Sequence, residues 1–254
     1  MSRRSSAPAN EATAVVFLAA VNVILNRTVP APLAVPASLP AAAAAVLLGI
    51  RAGAGVRDQG LSPDTVAGGT RVGLAVAVPL ALIVGLGALF PATRRFFRDD
   101  RVTQATPAKA AYELFVRIPI ATAASEEVMF RSALEGIFAR NRSPLQAALI
   151  AAPLFGFWHV LPALDRLHSN PGLSAVHRGG IKRRAVVVAG TVGVTAAASL
   201  GLSWLRRRTG SVVAPILVHY GINAGGFAGG WLASRGRGPP RKDDGAASDF
   251  AVAG

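Results

Sequence analysis

Ionisable residues set inside long apolar runs constrain this 254-residue chain more than any other feature. Largely apolar stretches without Asp, Glu, Lys or Arg cover residues 12–25, 33–50, 72–90, 185–205 and 211–232. In a water-soluble domain the apolar residues would recur periodically among charges; runs of this kind need lipid as solvent, and only helices satisfy their own backbone there. The composition agrees: 52% of residues are hydrophobic, 16% are charged, and mean hydropathy is +0.43. The predicted fold is an all-α, polytopic transmembrane bundle of about seven to eight helices, with no strand signal.

Charge is the next constraint. The net charge of +14 could suit nucleic acid or anionic lipid. Position decides between them. Arg94, Arg95, Arg98 and Arg101, then Lys182, Arg183 and Arg184, then Arg206, Arg207 and Arg208 stand at the edges of apolar runs, where headgroup phosphates lie. The expected partner is therefore a bilayer with anionic headgroups, not nucleic acid. Basic residues occupy nearly every connection, so the positive-inside rule leaves orientation open. Cysteine is absent, which excludes disulfides, thiolate metal sites and a cysteine nucleophile.

Along the chain, residues 1–10 and 235–254 read as unstructured ends, 11–105 as N-terminal transmembrane helices and 106–234 as a helical core. The run 12–25 ends in Asn26 and Arg27 rather than a small-residue cleavage site, so it reads as a retained first helix. Residues 108–138 are interrupted by charges at Glu113, Arg117, Glu126, Glu127, Arg131 and Glu135 and should form two helices, or one broken near Pro119. Ser143 and Pro144 predict an N-cap and first-turn proline for a helix running to about Leu164. Residues 165–184 predict a polar loop holding His168 and His177 at the surface.

Charged groups in apolar surroundings cost several kcal/mol, so they persist where paired or functional. Glu126, Glu127, His159 and His219 are such groups, and Asn223 is an uncharged polar one in the same setting. Residues four apart share a helix face, whereas neighbours diverge by about 100°. Glu127 therefore faces Arg131 and can neutralise it. Glu126 points elsewhere without a local cation, the condition of a general base. His219 and Asn223 share a face and can donate together to a developing oxyanion. Phe155 and His159 likewise share one.

Taken in order, Glu126-Glu127-x-x-x-Arg131, Phe155-x-x-x-His159 and His219-x-x-x-Asn223 resemble the three motifs of the CPBP family, the type II CAAX prenyl endopeptidases and their bacteriocin-processing and self-immunity relatives. The resemblance spans roughly residues 110–231 and includes the Arg-Thr-Gly-Ser-Val-Val-Ala-Pro-Ile run before His219. It implies an intramembrane endopeptidase in which Glu126 and His159 activate water while His219 and Asn223 hold the oxyanion. Glu127 and Arg131 would orient the site, with Phe155 beside the imidazole. No cofactor or metal is implied, although two histidines and a carboxylate could also serve as a facial metal triad.

Two other classes fit the same residues: a non-catalytic scaffold or immunity protein of this fold, and a proton-coupled transporter titrating at Glu126. Three lysines beside many arginines, alanines and glycines point to a high-GC bacterial genome, hence a bacterial cytoplasmic membrane. Two further features concern packing. Gly221, Gly225 and Gly229 form a small-residue stripe facing away from His219, while Gly226 and Gly230 fall near the site and could leave room for substrate. Pro215 should kink the helix bearing His219.

Overall fold

The computed structural model describes residues 7–170 and 180–235, and these contain eight helices and no strand. Helix α1 is Ala7–Arg27, α2 is Ala34–Arg51 and α3 is Val66–Leu86. A single turn at Asp100–Thr103 precedes α4, which is continuous over residues 107–138. Then come α5 (Pro144–Trp158), α6 (Val160–Ser169), α7 (Gly180–Thr209) and α8 (Val213–Arg235). The four residues Ala7–Asn10, expected to precede the first helix, instead form its first turn. Pro8 suits that position, because first-turn N–H groups have no helical acceptor. His177 and most of the C-terminal tail lie outside the described residues.

Five helical stretches are long and apolar enough to cross a membrane: Ala7–Arg27, Ala31–Arg51, Pro63–Leu86, Pro144–Ser169 and Gly180–Thr209. Their outward residues include Val16, Leu47, Ile83 and Val186, all exposed. Water would penalise such a surface and lipid does not. Helices α4 and α8 are not among the five. Charges punctuate α4, and five glycines with His219 and Asn223 dilute α8.

Helix α4 is the axis of the fold. It packs against α1, α2, α5, α7 and α8, and its second half is buried on all sides, from Met129 through Phe138. It does not break at Pro119. The backbone widens instead to bonds reaching five residues back, as from the Ser125 N–H to the Ile120 carbonyl and from Glu135 to Phe130. In that register Pro119, which has no N–H, leaves the Leu114 carbonyl without its helical donor. The Tyr220 hydroxyl of α8 donates to that oxygen at 3.0 Å. The proline thus creates an inter-helix tie next to His219.

Helices α3 and α8 make the longest seam. Gly69, Gly73, Ala77, Ala81 and Gly85 repeat every fourth residue on α3, facing Ser211, Ala214, Gly221, Gly225 and Gly229. A Cβ at Gly221 would stand 2.8 Å from the Ala77 carbonyl oxygen, and ones at Gly225 and Gly229 would run into the Ala81 and Gly85 carbonyls. The glycine stripe therefore brings two backbones together, as its spacing predicts. Gly230 belongs to the packing as well, against the Phe97 backbone, which removes it from the substrate-facing residues; a Cβ at Gly226 would meet only Val84. Pro215 lies in the first turn of α8, where it makes no kink because no helical acceptor is lost.

Candidate active site

Three helices supply the site. On α4, Glu126 and Glu127 diverge as adjacent residues must. Glu127 is fully buried and its Oε2 lies 3.1 Å from Nε of the equally buried Arg131, one turn on. The approach is an ion pair without the alignment of a hydrogen bond. Phe155 stacks over the guanidinium at 4.2 Å from its ring centre, so Arg131 is held by charge on one side and by an aromatic face on another. This matches the expected Glu127–Arg131 pairing.

Helix α5 begins as its sequence predicts. The Ser143 hydroxyl accepts from the Gln146 N–H, the Gln146 side chain returns the bond, and Pro144 takes the first position. It ends earlier than expected. Pro162 cannot donate to the Trp158 carbonyl, so the helix breaks at His159 (φ −87°, ψ 0°) and resumes as α6. The freed Trp158 carbonyl accepts instead from Asn22 Nδ2 of α1 at 3.1 Å. The expected loop from residue 165 is helical as far as Ser169, and His168 is an exposed helix residue rather than a loop one.

That break turns His159 inward. Its Nδ1 lies 2.8 Å from the Phe155 carbonyl, which can only accept, so Nδ1 carries the proton and Nε2 is left to face the site. Nε2 stands 4.0 Å from Glu126 Oε2. Phe155 packs edge-on against the imidazole, ring centres 4.7 Å apart, and also against Phe130 at 5.0 Å. The shared face of Phe155 and His159 is thus a real contact.

Helix α8 brings His219, 92 residues from its partner in sequence: Nδ1 lies 2.7 Å from Glu127 Oε1. A carboxylate opposite Nδ1 orients the ring so that Nε2 also faces Glu126 Oε2, again at 4.0 Å. Glu126 Oε2 is buried, and among the described residues no protein group hydrogen-bonds to it. Asn223 lies on the same face of α8, but its Nδ2 donates to the His219 carbonyl at 3.2 Å. Helix packing therefore converges Glu126, His159 and His219 around one oxygen, with Asn223 a turn away.

The Glu127–His219 bond is absent from the sequence reading, which paired Glu127 with Arg131 alone. Glu135 was also passed over. It lies one turn beyond Arg131, 4.0 Å from its Nε, and accepts from the Ser203 hydroxyl of α7. Its i,i+4 spacing from Arg131 was the available signal. No group of three His, Asp or Glu side chains among the described residues is arranged to hold a metal ion.

Residues 109–225 match the family described as Type II CAAX prenyl endopeptidase Rce1-like, and the match contains Glu126, Glu127, Arg131, Phe155, His159, His219 and Asn223. No curated protein and no solved structure matches the chain. The helical core of this multi-pass membrane protein is thus similar to the type II CAAX prenyl endopeptidase Rce1-like family, which supports the resemblance to the CPBP family seen in the sequence motifs.

Proposed function

We propose that the chain is an intramembrane endopeptidase that hydrolyses a peptide bond with a glutamate-activated water. The observation carrying this reading is the position of Glu126 Oε2, 4.0 Å from Nε2 of both His159 and His219. That distance is too long for a direct hydrogen bond and leaves room for one water bonded to both sides. Each histidine has its Nδ1 occupied, so both rings offer Nε2 to the same point.

In the proposed reaction Glu126, assisted by His159 Nε2, takes a proton from the water as its oxygen attacks the scissile carbonyl carbon. The resulting oxyanion accepts from His219 Nε2 and from the second N–H of Asn223. Donation from Nε2 requires the doubly protonated ring, whose charge Glu127 matches. Each such donor is worth about 3 to 4 kcal/mol in a dry, fixed site. The proton on Glu126 then passes to the departing amide nitrogen as the C–N bond breaks, giving a carboxylic acid and an amine, and the acid's proton transfers to the amine to leave a carboxylate and an ammonium. No acyl-enzyme forms. Glu127 and Arg131 hold His219 in register, and Phe155 holds His159.

The substrate in this reading is a peptide or membrane protein reached from the bilayer, in a bacterial cytoplasmic membrane whose anionic headgroups meet the arginine clusters. The test is cleavage of a reporter peptide by the purified full-length chain in lipid vesicles. Glu126→Gln should lower kcat by about 10²- to 10⁴-fold, while His168→Ala, at an exposed position, leaves it unchanged. Undiminished cleavage by Glu126→Gln would overturn the mechanism. Retained biological activity without cleavage would favour the scaffold, and solute flux collapsed by a protonophore the transporter. Loss of cleavage in a chelator, restored by a divalent ion, would replace the metal-free mechanism.

A further inference from the structure

Glu135 is a buried carboxylate that the proposed reaction does not use. It is 3% exposed, on the innermost stretch of α4, with Phe130, Leu134 and Phe138 around it. An ionisable side chain in such a place destabilises the fold unless its partners compensate, and an apolar residue of the same size would serve packing better. Its partners are therefore informative. On α4 it faces Arg131, four residues earlier, at 4.0 Å. From α7 it receives the Ser203 hydroxyl, and Ser203 is itself fully buried.

Arg131 consequently stands between two carboxylates on its own helix, Glu127 one turn before and Glu135 one turn after. With Glu127 alone the guanidinium would be drawn toward one end of its pocket under the Phe155 ring; Glu135 on the other side balances that pull. From there the line runs outward to the site. Arg131 meets Glu127 at 3.1 Å, Glu127 meets His219 Nδ1 at 2.7 Å, and His219 Nε2 faces Glu126 at 4.0 Å. Ser203 thereby anchors the inner end of this line to α7.

We propose that Glu135, held by Ser203, is a positioning residue that fixes Arg131 and through it the Glu127–His219 pair, so that α7 sets the orientation of the His219 ring. The inference rests on the protease reading only for its consequence on rate. The geometric part stands without it. The line consists of ionisable groups 2.7 to 4.0 Å apart, and at its catalytic end a displacement of about 1 Å can cost on the order of 100-fold in rate.

The experiment compares Glu135→Gln, Glu135→Leu and Ser203→Ala with the unaltered full-length chain in detergent micelles or vesicles. Two readouts are taken: kcat and KM on the reporter peptide, and the ring ¹H–¹⁵N NMR signals of histidine-labelled protein. Glu135→Leu and Ser203→Ala should each lower kcat by about 10- to 100-fold with KM unchanged. Glu135→Gln, which still accepts from Ser203, should recover part of the loss. The His219 signals should move in all three while those of His168 stay.

Unchanged kcat together with unmoved His219 signals would overturn the proposal and leave Glu135 as a packing residue. Equal losses in Glu135→Gln and Glu135→Leu with unmoved His219 signals would do the same. Should Glu135→Leu not fold, Ser203→Ala removes one oxygen atom and carries the test alone. If the unaltered chain cleaves no peptide, the protease reading fails, yet displaced His219 signals in Ser203→Ala still support the positioning line.

Discussion

Helices α4 and α8 both face the site, but they are held by opposite means. Along its α3 seam, α8 is fixed by missing side chains: Gly221, Gly225 and Gly229 let its backbone touch that of α3, with close packing as the bond. The inner half of α4 is fixed by charge, with Glu127, Arg131 and Glu135 buried in succession and tied to α8 and α7 through His219 and Ser203. The first seam fails when volume is added. The second fails when a charge is removed, because whatever remains is a buried charge without its partner.

The sharpest way to break the contrast is on the α4 side. Arg131→Met should destabilise the protein by about 3 to 5 kcal/mol, since it strands Glu127 and Glu135 in an apolar interior. Reversible unfolding in mixed micelles would measure it. Removing two members together should sharpen the point. Glu127→Leu with Arg131→Met should recover part of that stability without recovering activity, because His219 has then lost the carboxylate that orients it. A double variant as unstable as Arg131→Met alone would show that shape, not charge, governs this region.

On the α8 side, Gly225→Val should cost about 1 to 3 kcal/mol or more by pushing α8 off the Ala81 carbonyl. Gly226→Ala, one residue along, should cost under about 1 kcal/mol, because a Cβ there meets only Val84 at 3.6 Å. The smallest expected effect is local: Ser143→Ala removes the α5 cap and should cost about 1 kcal/mol. The same unfolding assay ranks all of these, and a Gly225 variant as stable as the Gly226 one would dissolve the contrast.

Much of the site was legible because the residues concerned repeat at helical spacing. Glu127 with Arg131, Phe155 with His159 and the glycine stripe are all contacts between neighbours on one helix, or a face whose periodicity names its use. The capping box at Ser143 was legible for the same reason. The prolines were read less well. Pro119 did not break α4, Pro215 made no kink, and Pro162 ended α5 without having been considered. Pro215 releases no carbonyl, while the outcomes at Pro119 and Pro162 depend on where the released carbonyl finds a donor, and both donors, Tyr220 and Asn22, come from other helices.

The sequence by itself determined that this chain lives in lipid as a bundle of helices, because apolar runs of that length have no other solvent. It also separated the two adjacent carboxylates, since adjacent residues cannot share a helix face. Only the tertiary structure decided what each carboxylate meets: Glu127 meets His219 across 92 positions, Glu126 looks toward two imidazoles, and Glu135 reaches Ser203. Helical periodicity fixes the direction of a side chain relative to its own axis. Which groups lie in that direction depends on how separate helices pack, and no local rule contains that.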